Sequence, residues 1–411
     1  MATDAPSSPY LKFPFARAGG DKGDQPPEPF QTLLQSCPVS RVEMFDGSHP
    51  YMVVKHKDVC DVLADPRLSK ERQRAGFPEI SAGAKKAAKN RPTFVDMDPP
   101  AHGHQRFMVS KFFTPEYIVK RTPFIRETVQ HYLDELIKAK GDNESVDLIE
   151  NFALPVPSHI IYSILGVPDE DFEYLTNCNA TRTNGSNTAG AAQSANDELL
   201  NYFDQLLDKK LANPGDDLIS SLAKEQLEKG NLERKDVVQL SFLILVAGNL
   251  TMINTIALGV ITLLDHPDQL SQLIENPSLS KSFVEELCRY HTTSSFATRR
   301  VAKVDIELGG NIVKAGEGII ASNQAANRDP DVFPDPNAFN MFRERGTEEA
   351  LGFGWADHRC IAEGLARAEL ETVFATLFQK LPSLRLAVPK AEIEWTPPTK
   401  DVGVTKLPVT W

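Results

Sequence analysis

A single cysteine, Cys360, stands where a loop rich in glycine and aromatic residues gives way to an apolar pattern with helical spacing. A thiol at a helix N-terminus lies near unpaired backbone N–H groups and the positive end of the helix dipole. Both features favour the thiolate, which is the form of cysteine that binds metals and attacks electrophiles. Taken alone, a lone cysteine before a helix is more simply interpreted as a buried structural thiol.

The segment from Phe353 to Cys360 resembles the haem-binding signature of the cytochromes P450, Phe-x-x-Gly-x-(Arg/His)-x-Cys-x-Gly. The resemblance implies that Cys360 is the axial ligand of a haem b iron, that Phe353 packs near it and that His358 faces a haem propionate. Alanine replaces the family glycine at Ala356 and Ala362. If the turn needs a positive φ at Ala356, alanine costs about 1–2 kcal/mol there.

Further motifs of this family occur along the chain. The resemblance implies that His102 and Arg106, which share one helical face, and Arg300 bind the haem propionates. By themselves, His102 and Arg106 would be read as the start of a surface helix. The Glu-x-x-Arg motif at 286–289 would form a structural ion pair, completed downstream by Arg343.

Length and composition allow one large domain or two to three ordinary ones, because the chain has 411 residues and is 41% hydrophobic. Helical patterns dominate, strand-like pieces are short, and a hairpin is predicted with its turn at Asp46-Gly47. We predict a mainly α fold with small β-sheets. Residues 1–30 would form an irregular N-terminal arm, and residues 31–411 a single haem-thiolate cytochrome P450 domain, as the resemblance also implies.

The segment from Val237 to Leu264 contains no charged residue and is long enough to span a bilayer. It also contains seven serine, threonine, asparagine and glutamine residues, and no aromatic or basic belt flanks it. We therefore predict a fully buried helix at the centre of the protein, over the haem, and no membrane association.

The net charge of −12 argues against a nucleic-acid partner, which would require a basic face. Five scattered cysteines without a Cys-x-x-Cys pair are typical of free thiols in a reducing compartment. The first residues lack an apolar core of signal-peptide length. A cytoplasmic location is predicted, and a mitochondrial fraction stays open.

The long helix lacks one residue that oxygen-activating members of this family carry. Those members place an acid and a threonine midway along it, and the pair relays the protons that split bound dioxygen. The matching run here is Ala247-Gly248-Asn249-Leu250-Thr251, so Gly248 and Thr251 are predicted to line the haem pocket while Leu250 holds the acid position. Because leucine does not titrate, the usual relay is broken.

A basic segment between Arg67 and Arg91 is the second functional signal. It holds eight lysine and arginine residues against two glutamates in an acidic chain. A solvated face is the ordinary interpretation and suits Lys85–Lys89, whereas a positive patch can also steer an anionic ligand. The chain has no Gly-x-Gly-x-x-Gly after a strand and no P-loop. A nicotinamide nucleotide would therefore have to enter the haem pocket, with its phosphates held by arginine and lysine.

Five segments together resemble the fungal nitric oxide reductases of this family: AGNLTMINTIALGV, RLSKERQR, RTNGSNT, EELCRYHT and ADHRCIAE. The resemblance implies a soluble enzyme, expected to be a monomer, that reduces two NO to N2O with hydride taken directly from NADH or NADPH. The haem would bind NO and make it an electrophile for hydride. No redox protein partner is required, and the missing acid fits because no O–O bond is cleaved.

The same resemblance assigns roles to six residues: Thr251 (beside NO and the nicotinamide), Ser294 and Asp401 (proton delivery), and Lys70, Arg72 and Arg182 (cofactor phosphates). Without it, Ser294 would be read as a loop hydroxyl and Asp401 as a turn carboxylate. The small side chains at 81–83 leave room for a 2′-phosphate, so we expect NADPH to be used as well as NADH.

Two other functions remain open at this point. A monooxygenase that hydroxylates a small organic substrate would need an external reductase and a basic face near Cys360, where Arg359 and Arg367 are too few to decide. A haem sensor or NO carrier would bind ligand without turnover, and it would leave the basic segment and Arg182 unexplained.

Overall fold

Helices make up most of the molecule and surround one long central helix. The computed structural model describes residues 9–183, 189–344 and 346–411, without the side chains at 183 and 189. Residues 184–188 of the motif RTNGSNT lie outside the described residues. In chain order the helices are α1 (Pro29–Ser36), α2 (His56–Ala64), α3 (Ala82–Ala87), α4 (Ala101–Ser110), α5 (Pro115–Lys140), α6 (Pro155–Leu165), α7 (Phe172–Thr183), α8 (Ala189–Ala212), α9 (Leu218–Leu222), α10 (Arg234–Asp265), α11 (Pro267–Glu275), α12 (Ser280–His291), α13 (Asn323–Ala326) and α14 (Glu363–Lys380).

The strands of the described residues form small sheets beside the helices. They are β1 (Leu11–Lys12), β2 (Val39–Glu43), β3 (Tyr51–Val53), β4 (Leu68–Ser69), β5 (Val146–Asp147), β6 (Arg299–Ala302), β7 (Ile306–Leu308), β8 (Asn311–Val313), β9 (Gly318–Ala321), β10 (Arg385–Leu386) and β11 (Pro408–Thr410). The largest sheet has the order β1-β2-β3-β9-β6-β4, and β10-β11-β5 and β7-β8 form two more. β2 and β3 pair antiparallel across the turn predicted at Asp46-Gly47. The predicted mainly α fold with small β-sheets is confirmed.

The central helix α10 contains the uncharged segment that the sequence singled out. A capping box fixes its start, because the side chains of Glu233 and Asp236 each accept a hydrogen bond from the other's backbone N–H. The helix is long and apolar enough to cross a membrane, yet 72% of its most apolar window is buried inside the protein. A helix that is apolar on all sides is stable in water only when other elements cover it. The predicted central helix is confirmed, but it is mostly buried and not fully buried as predicted.

Helix α14, which follows Cys360, packs closely against α10. Gly259 permits this approach, because a Cβ at this position would lie 2.2 Å from Cζ of Phe374. Phe374 in turn packs edge-on against Phe283 of α12, with ring centroids 4.8 Å apart. These contacts belong to one continuous apolar core. The core fixes the start of α14, and therefore the Cys360 loop, relative to α10.

A buried ion-pair network anchors the C-terminal half of α12. Glu286 bonds Arg289 at 2.7 Å and Arg343 at 3.0 Å, and the Arg289 side chain is only 2% exposed. Arg289 also donates to the carbonyl oxygen of Asn327 at 2.8 Å. Buried charges are tolerated only when they are paired in this way. The predicted role of Arg343 as the third member of the network is confirmed.

The N-terminal arm is attached to the rest of the protein along much of its described length. β1 pairs parallel with β2, and Phe13 and Phe15 are buried in an apolar cluster. Near the C-terminus, Nε1 of Trp395 donates to the carbonyl oxygen of Gly20 at 2.9 Å. The segment predicted as irregular therefore carries a short strand, while the domain boundary at residue 30 stays a prediction.

Candidate active site

The loop that carries Cys360 is shaped by a few close backbone contacts. The Cys360 N–H donates to the carbonyl oxygen of Phe353 at 2.8 Å. Gly352 is required, because a Cβ there would lie 2.6 Å from the carbonyl oxygen of Cys288. Ala356 has a φ of 55°, in the left-handed region that favours glycine. The positive φ considered for Ala356 from the sequence is therefore present.

The Cys360 side chain is open to an internal cavity, while the surrounding protein shields it from bulk water. This burial raises the pKa of the thiol, although the Ala362 backbone N–H and the charges of Arg106 and Arg367 act to lower it. The helix start therefore acts on Cys360 in the predicted direction, through the Ala362 N–H, but the loss of hydration outweighs it in the protein without a bound metal. Metal binding reverses that balance by displacing the thiol proton.

A cavity of about 450 Å³ lies between Cys360 and the middle of α10. Several residues predicted from the sequence line it: Lys70, Arg72, Arg106, Gly248, Thr251, Ser294, Arg300, His358 and Cys360. His102, Arg182 and Asp401 are not among its lining residues and have the contacts described below. Segments far apart in the sequence therefore meet at one cavity.

Basic side chains gather at one part of the cavity wall. Nε2 of His102 is buried without a hydrogen-bond partner among the described residues, and its ring centroid lies 4.3 Å from that of His358. Burial, followed by nearby cations such as Arg300, lowers the pKa of His358 to about 2. Arg300, whose pKa burial lowers to about 10, donates to the carbonyl oxygen of Arg299 at 2.9 Å. The cluster is suited to an anionic group, because a buried cation needs a counter-charge.

The α10 wall of the cavity presents a hydroxyl group and a glycine. Thr251 and Gly248 both line the cavity, as their helical spacing predicted. The Thr251 hydroxyl donates to the Ala247 carbonyl oxygen at 3.1 Å. A Cβ at Gly248 would meet Ile161 at 3.6 Å, an ordinary contact. Leu250 is half-buried and is not among the cavity-lining residues, so this stretch of α10 offers no carboxyl group.

The loop after α12 carries the predicted proton-delivery serine. The Thr255 and Thr293 hydroxyls share a hydrogen bond of 3.1 Å, which ties this loop to α10. Ser294 lines the cavity, and Asp401 accepts a hydrogen bond from the Ser295 N–H at 2.8 Å. Burial raises the pKa of Asp401 to about 6. The structure thus places Asp401 against the backbone one residue beyond Ser294, and not against its hydroxyl.

A second cavity, of about 960 Å³, adjoins the first. The residues common to both are Arg72, Val95, Asp96 and Leu243. The arginines that line the second cavity are Arg72, Arg74, Arg91 and Arg182. Arg182 donates to Oδ1 of Asn179 at 3.1 Å, and burial lowers the pKa of Arg182 to about 10. A shielded guanidinium held by a neutral amide is suited to an anionic ligand.

Arg72 lines both cavities, and Lys70 lines the first. Lys70 donates to the carbonyl oxygen of Ala297, and burial, followed by neighbouring arginine charges, lowers its pKa well below the ordinary value. Arg72 pairs with Glu79 at 2.7 Å, and Glu79 also bonds Arg299 at 2.8 Å. The Glu79 carboxylate therefore orients Arg72. A bound phosphate would share the Arg72 guanidinium with that carboxylate.

Comparison with known proteins agrees with this geometry. A family model described as "Cytochrome P450" matches residues 184–409. Cytochrome P450 55A3 of Fusarium lichenicola is 58% identical over 410 residues, which cover 100% of this chain and 100% of the relative. This chain belongs to the cytochrome P450 family.

Bacterial cytochromes P450 are also similar over nearly the whole length. Cytochrome P450 GfsF of Streptomyces halstedii is 39% identical over 100% of this chain and 97% of the relative. The crystal structure of GfsF matches with a TM-score of 0.92, covering 98% of this chain and 100% of that chain. Vitamin D3 dihydroxylase of Streptomyces griseolus is 38% identical over 91% of each chain. The predicted cytochrome P450 fold is confirmed, and the family makes this protein an oxidoreductase with a thiolate-bound haem iron.

A haem fits the residues of the first cavity. The unpartnered Nε2 of His102, together with Arg106, Arg300 and His358, would pair with two propionates. No group of three or more His, Cys, Asp or Glu side chains in the described part of the chain is placed to hold a metal ion. Cys360, which lines the first cavity, would be the protein ligand of a haem iron, as the resemblance implies.

The basic segment at 67–91 is less positive in the folded protein than its sequence indicated. Lys85 pairs with Asp46 at 2.8 Å, and Arg91 pairs with Glu233 at 3.1 Å. Lys85, Lys86 and Lys89 are exposed, as the interpretation of a solvated face requires. A continuous positive patch is therefore the wrong description, because carboxylates distant in sequence neutralise part of it.

Sequence reasoning missed an acidic residue of α14 in the cavity wall. Glu369 of α14 lines the cavity although its side chain is only 4% exposed, and its Oε2 has no hydrogen-bond partner among the described residues. Burial raises its pKa well above the ordinary value. The sequence signal that could have identified Glu369 is an acidic residue within the apolar helical pattern that includes Leu365 and Val373.

Proposed function

We propose that this protein is a nitric oxide reductase that takes hydride directly from NADH or NADPH. The balanced reaction is 2 NO + NAD(P)H + H⁺ → N2O + NAD(P)⁺ + H2O. The observation that carries the proposal is the pair of adjoining cavities, one between Cys360 and α10 and the other lined by arginines. A nicotinamide nucleotide would use both cavities. Its ring must reach the reaction centre in the first, while its phosphates need cations such as the arginines of the second.

The nucleotide would enter through the second cavity. Arg182, which lines the second cavity, Arg72, which lines both, and Lys70, which lines the first, would hold its phosphates. Hydrogen bonds from arginine to phosphate contribute about 1.5–3 kcal/mol each when they are shielded from water. The nicotinamide end would then lie along α10 beside Gly248 and Thr251, where the Thr251 hydroxyl is available to orient its amide group.

When bound, the haem would supply a thiolate-ligated iron that binds NO and makes it an electrophile for hydride. Cys360 would hold that iron, and the residues around His102 and Arg300 would hold the propionates. This stretch of α10 offers no carboxyl group to the cavity, which suits a reaction that cleaves no O–O bond. Proximity and orientation of the nicotinamide are the main contributions that the chain itself would make.

Protons would reach the site through the loop after α12. The pKa of Asp401, near 6, lets it exchange protons at physiological pH. Ser294 lines the cavity, and Asp401 accepts a hydrogen bond from the adjacent Ser295 N–H. A bridging water between Asp401 and the Ser294 hydroxyl would complete the path.

We also propose that no redox partner is required. The two arginines near the thiolate are already neutralised: Arg359 pairs with Glu363 at 2.9 Å, and Arg367 pairs with Glu363 at 3.0 Å and with Glu285. They are therefore poor anchors for an acidic electron carrier. The net charge of −12 supports an enzyme without a nucleic-acid partner, and we propose a cytoplasmic monomer without a membrane attachment.

The test is anaerobic mixing of the purified, haem-loaded protein with NO and NADH while N2O is followed. We expect N2O with one NADH oxidised for each N2O, and turnover with NADPH as well. Undetectable NADPH oxidation would reject the predicted tolerance of the 2′-phosphate. If N2O is undetectable with NADH and also with NADPH, the proposed reaction is rejected.

A monooxygenase is the second candidate, and the bacterial relative named vitamin D3 dihydroxylase is the observation that favours it. That function requires dioxygen and an external reductase. Supplying both to the purified protein, with a panel of small apolar substrates, separates the two functions. Hydroxylated product without any NO-dependent NADH oxidation would favour the monooxygenase.

A further inference from the structure

Arg17 of the N-terminal arm forms several hydrogen bonds with the loop that carries Asp401. Its guanidinium donates to the carbonyl oxygens of Lys400 at 3.0 Å and Pro397 at 3.1 Å. It also donates to the Thr396 hydroxyl at 3.1 Å and to the Thr396 carbonyl oxygen. A guanidinium presents five N–H donors in a fixed plane, so one side chain can fix the whole turn at 396–400.

The N-terminal arm closes over the same loop at a second point. A Cβ at Gly23 would lie 2.2 Å from the indole ring of Trp395, and Trp395 donates to Gly20. The loop therefore packs between the arm on one side and Ser295 on the other. Asp401 occupies the position where the three segments meet.

The charged groups that face Asp401 come from two elements. Arg17 belongs to the arm and Arg299 to β6, and both attract the carboxylate. The backbone N–H groups of Ser295 and Phe296 also donate to it. Arg299 is already bonded to Glu79 at 2.8 Å, whereas the bonds of Arg17 described above go to carbonyl and hydroxyl oxygens. Arg17 is therefore the cation whose charge is least offset by another carboxylate.

We propose that Arg17 is a positioning residue for proton delivery: it holds the 396–401 loop against the Ser294 loop and supplies a positive charge that faces Asp401. This inference rests on the proposed function, in which Asp401 exchanges protons with the cavity. It assigns a role to the N-terminal arm, which the sequence indicated only as irregular.

The charge and the hydrogen bonds of Arg17 have separable consequences. A nearby positive charge favours the ionised carboxylate, so its removal lets Asp401 keep its proton to higher pH. Loss of the hydrogen bonds alone loosens the loop without removing the charge. Lysine retains the charge but cannot reproduce the planar donors of arginine, and methionine retains neither.

The experiment compares Arg17→Met, Arg17→Lys and Lys12→Met in the haem-loaded full chain. Lys12→Met removes an exposed cation from the same arm and is the matched control. Carbon-13 labelled aspartate gives the Asp401 titration directly by NMR, with Asp401→Asn identifying its signal. The pH profile of NADH-dependent N2O formation is recorded in parallel.

We expect Arg17→Met to move the Asp401 midpoint upward by about half a unit or more, with the same displacement in the pH profile. Arg17→Lys should keep the midpoint while lowering the rate, and Lys12→Met should change neither. In the Asp401→Asn background, Arg17→Met should leave the pH profile unshifted.

An unchanged Asp401 midpoint in Arg17→Met would overturn the inference, and so would equal displacements in Arg17→Met and Arg17→Lys. If Arg17→Met fails to fold, Arg17→Lys still tests the role of the donor geometry through the rate. Absence of N2O from the unaltered protein would reject the proposed function, while the NMR titration would still decide the effect of Arg17.

Discussion

At position 356 an alanine occupies a backbone conformation that suits glycine. Its φ of 55° brings Cβ close to the backbone and costs about 1–2 kcal/mol. Ala356→Gly should therefore raise the free energy of unfolding by about 1 kcal/mol, after the greater entropy of unfolded glycine is subtracted. Urea unfolding of the haem-loaded protein measures this change.

The chain offers a matched control at Ala362, the other position where alanine replaces a family glycine. Ala362 has a φ of −97°, which any residue adopts, so Ala362→Gly relieves no strain. We expect that change to lower stability by about 0.5–1 kcal/mol. Equal effects at the two positions would mean that the left-handed conformation of Ala356 carries no strain.

Asp401 should make the protein less stable as the pH rises. Its pKa in the fold is about 6, above the ordinary 3.8, so the folded state holds the proton more tightly than the unfolded state. That contribution is complete below pH 4 and is lost as the pH rises to 6 and above, by up to about 3 kcal/mol. Asp401→Asn should remove this loss, as measured by urea unfolding from pH 4 to pH 7.

Asp305 provides the control for this titration. It is exposed, and its pKa is lowered mainly by Lys314, so Asp305→Asn should leave the loss of stability between pH 4 and 6 in place. A wild-type slope that persists in Asp401→Asn would show that another group causes it. Glu369 would then be the first residue to examine, because burial raises its pKa as well.

At the scale of elements, the contact between α10 and α14 fixes the distance between the two sides of the haem cavity. Gly259→Ala should weaken it, because the new methyl group would overlap Phe374. Overpacking of this kind costs about 1–3 kcal/mol, read from the melting temperature of the haem-loaded protein. Gly248→Ala is the control in the same helix: its Cβ meets Ile161 at 3.6 Å, and the melting temperature should not fall.

The elements that were predictable from the sequence are those with local signals. A long uncharged segment predicted α10, apolar residues at helical spacing predicted α14, and Asp46-Gly47 predicted the hairpin turn. The contact between Asp401 and Ser295 joins residues 106 apart, and the bond from Glu79 to Arg299 joins residues 220 apart. No periodicity or turn signal encodes such pairs, because tertiary packing alone brings them together. The charge count of the basic segment likewise overestimated its net positive charge in the folded protein, because carboxylates distant in sequence pair with some of its lysines and arginines.

At the scale of the whole molecule, the two adjoining cavities divide the proposed reaction between them. The first holds the groups suited to a haem and to proton delivery, and the second holds arginines suited to phosphates. Arg72 belongs to both cavities and is bonded to Glu79, which also bonds Arg299 of β6. The proposed nucleotide site and the haem pocket are therefore linked through Arg72, whereas Arg182 lines only the second cavity and should affect the nucleotide requirement without altering the haem.

Arg182→Met tests this division. Methionine keeps much of the apolar length of arginine but removes the charge, so stability and haem absorption should change little. Loss of a shielded phosphate contact should raise the KM for NADH by about 10- to 100-fold, which corresponds to about 1.4–2.7 kcal/mol. The measurements are N2O formation as a function of NADH concentration and the haem absorption spectrum. Lys86→Met, on the exposed part of the basic segment, is the control and should leave the KM unchanged. An equal rise of the KM in both variants would indicate general electrostatic attraction by the protein surface. An unchanged KM in Arg182→Met would place the phosphates elsewhere.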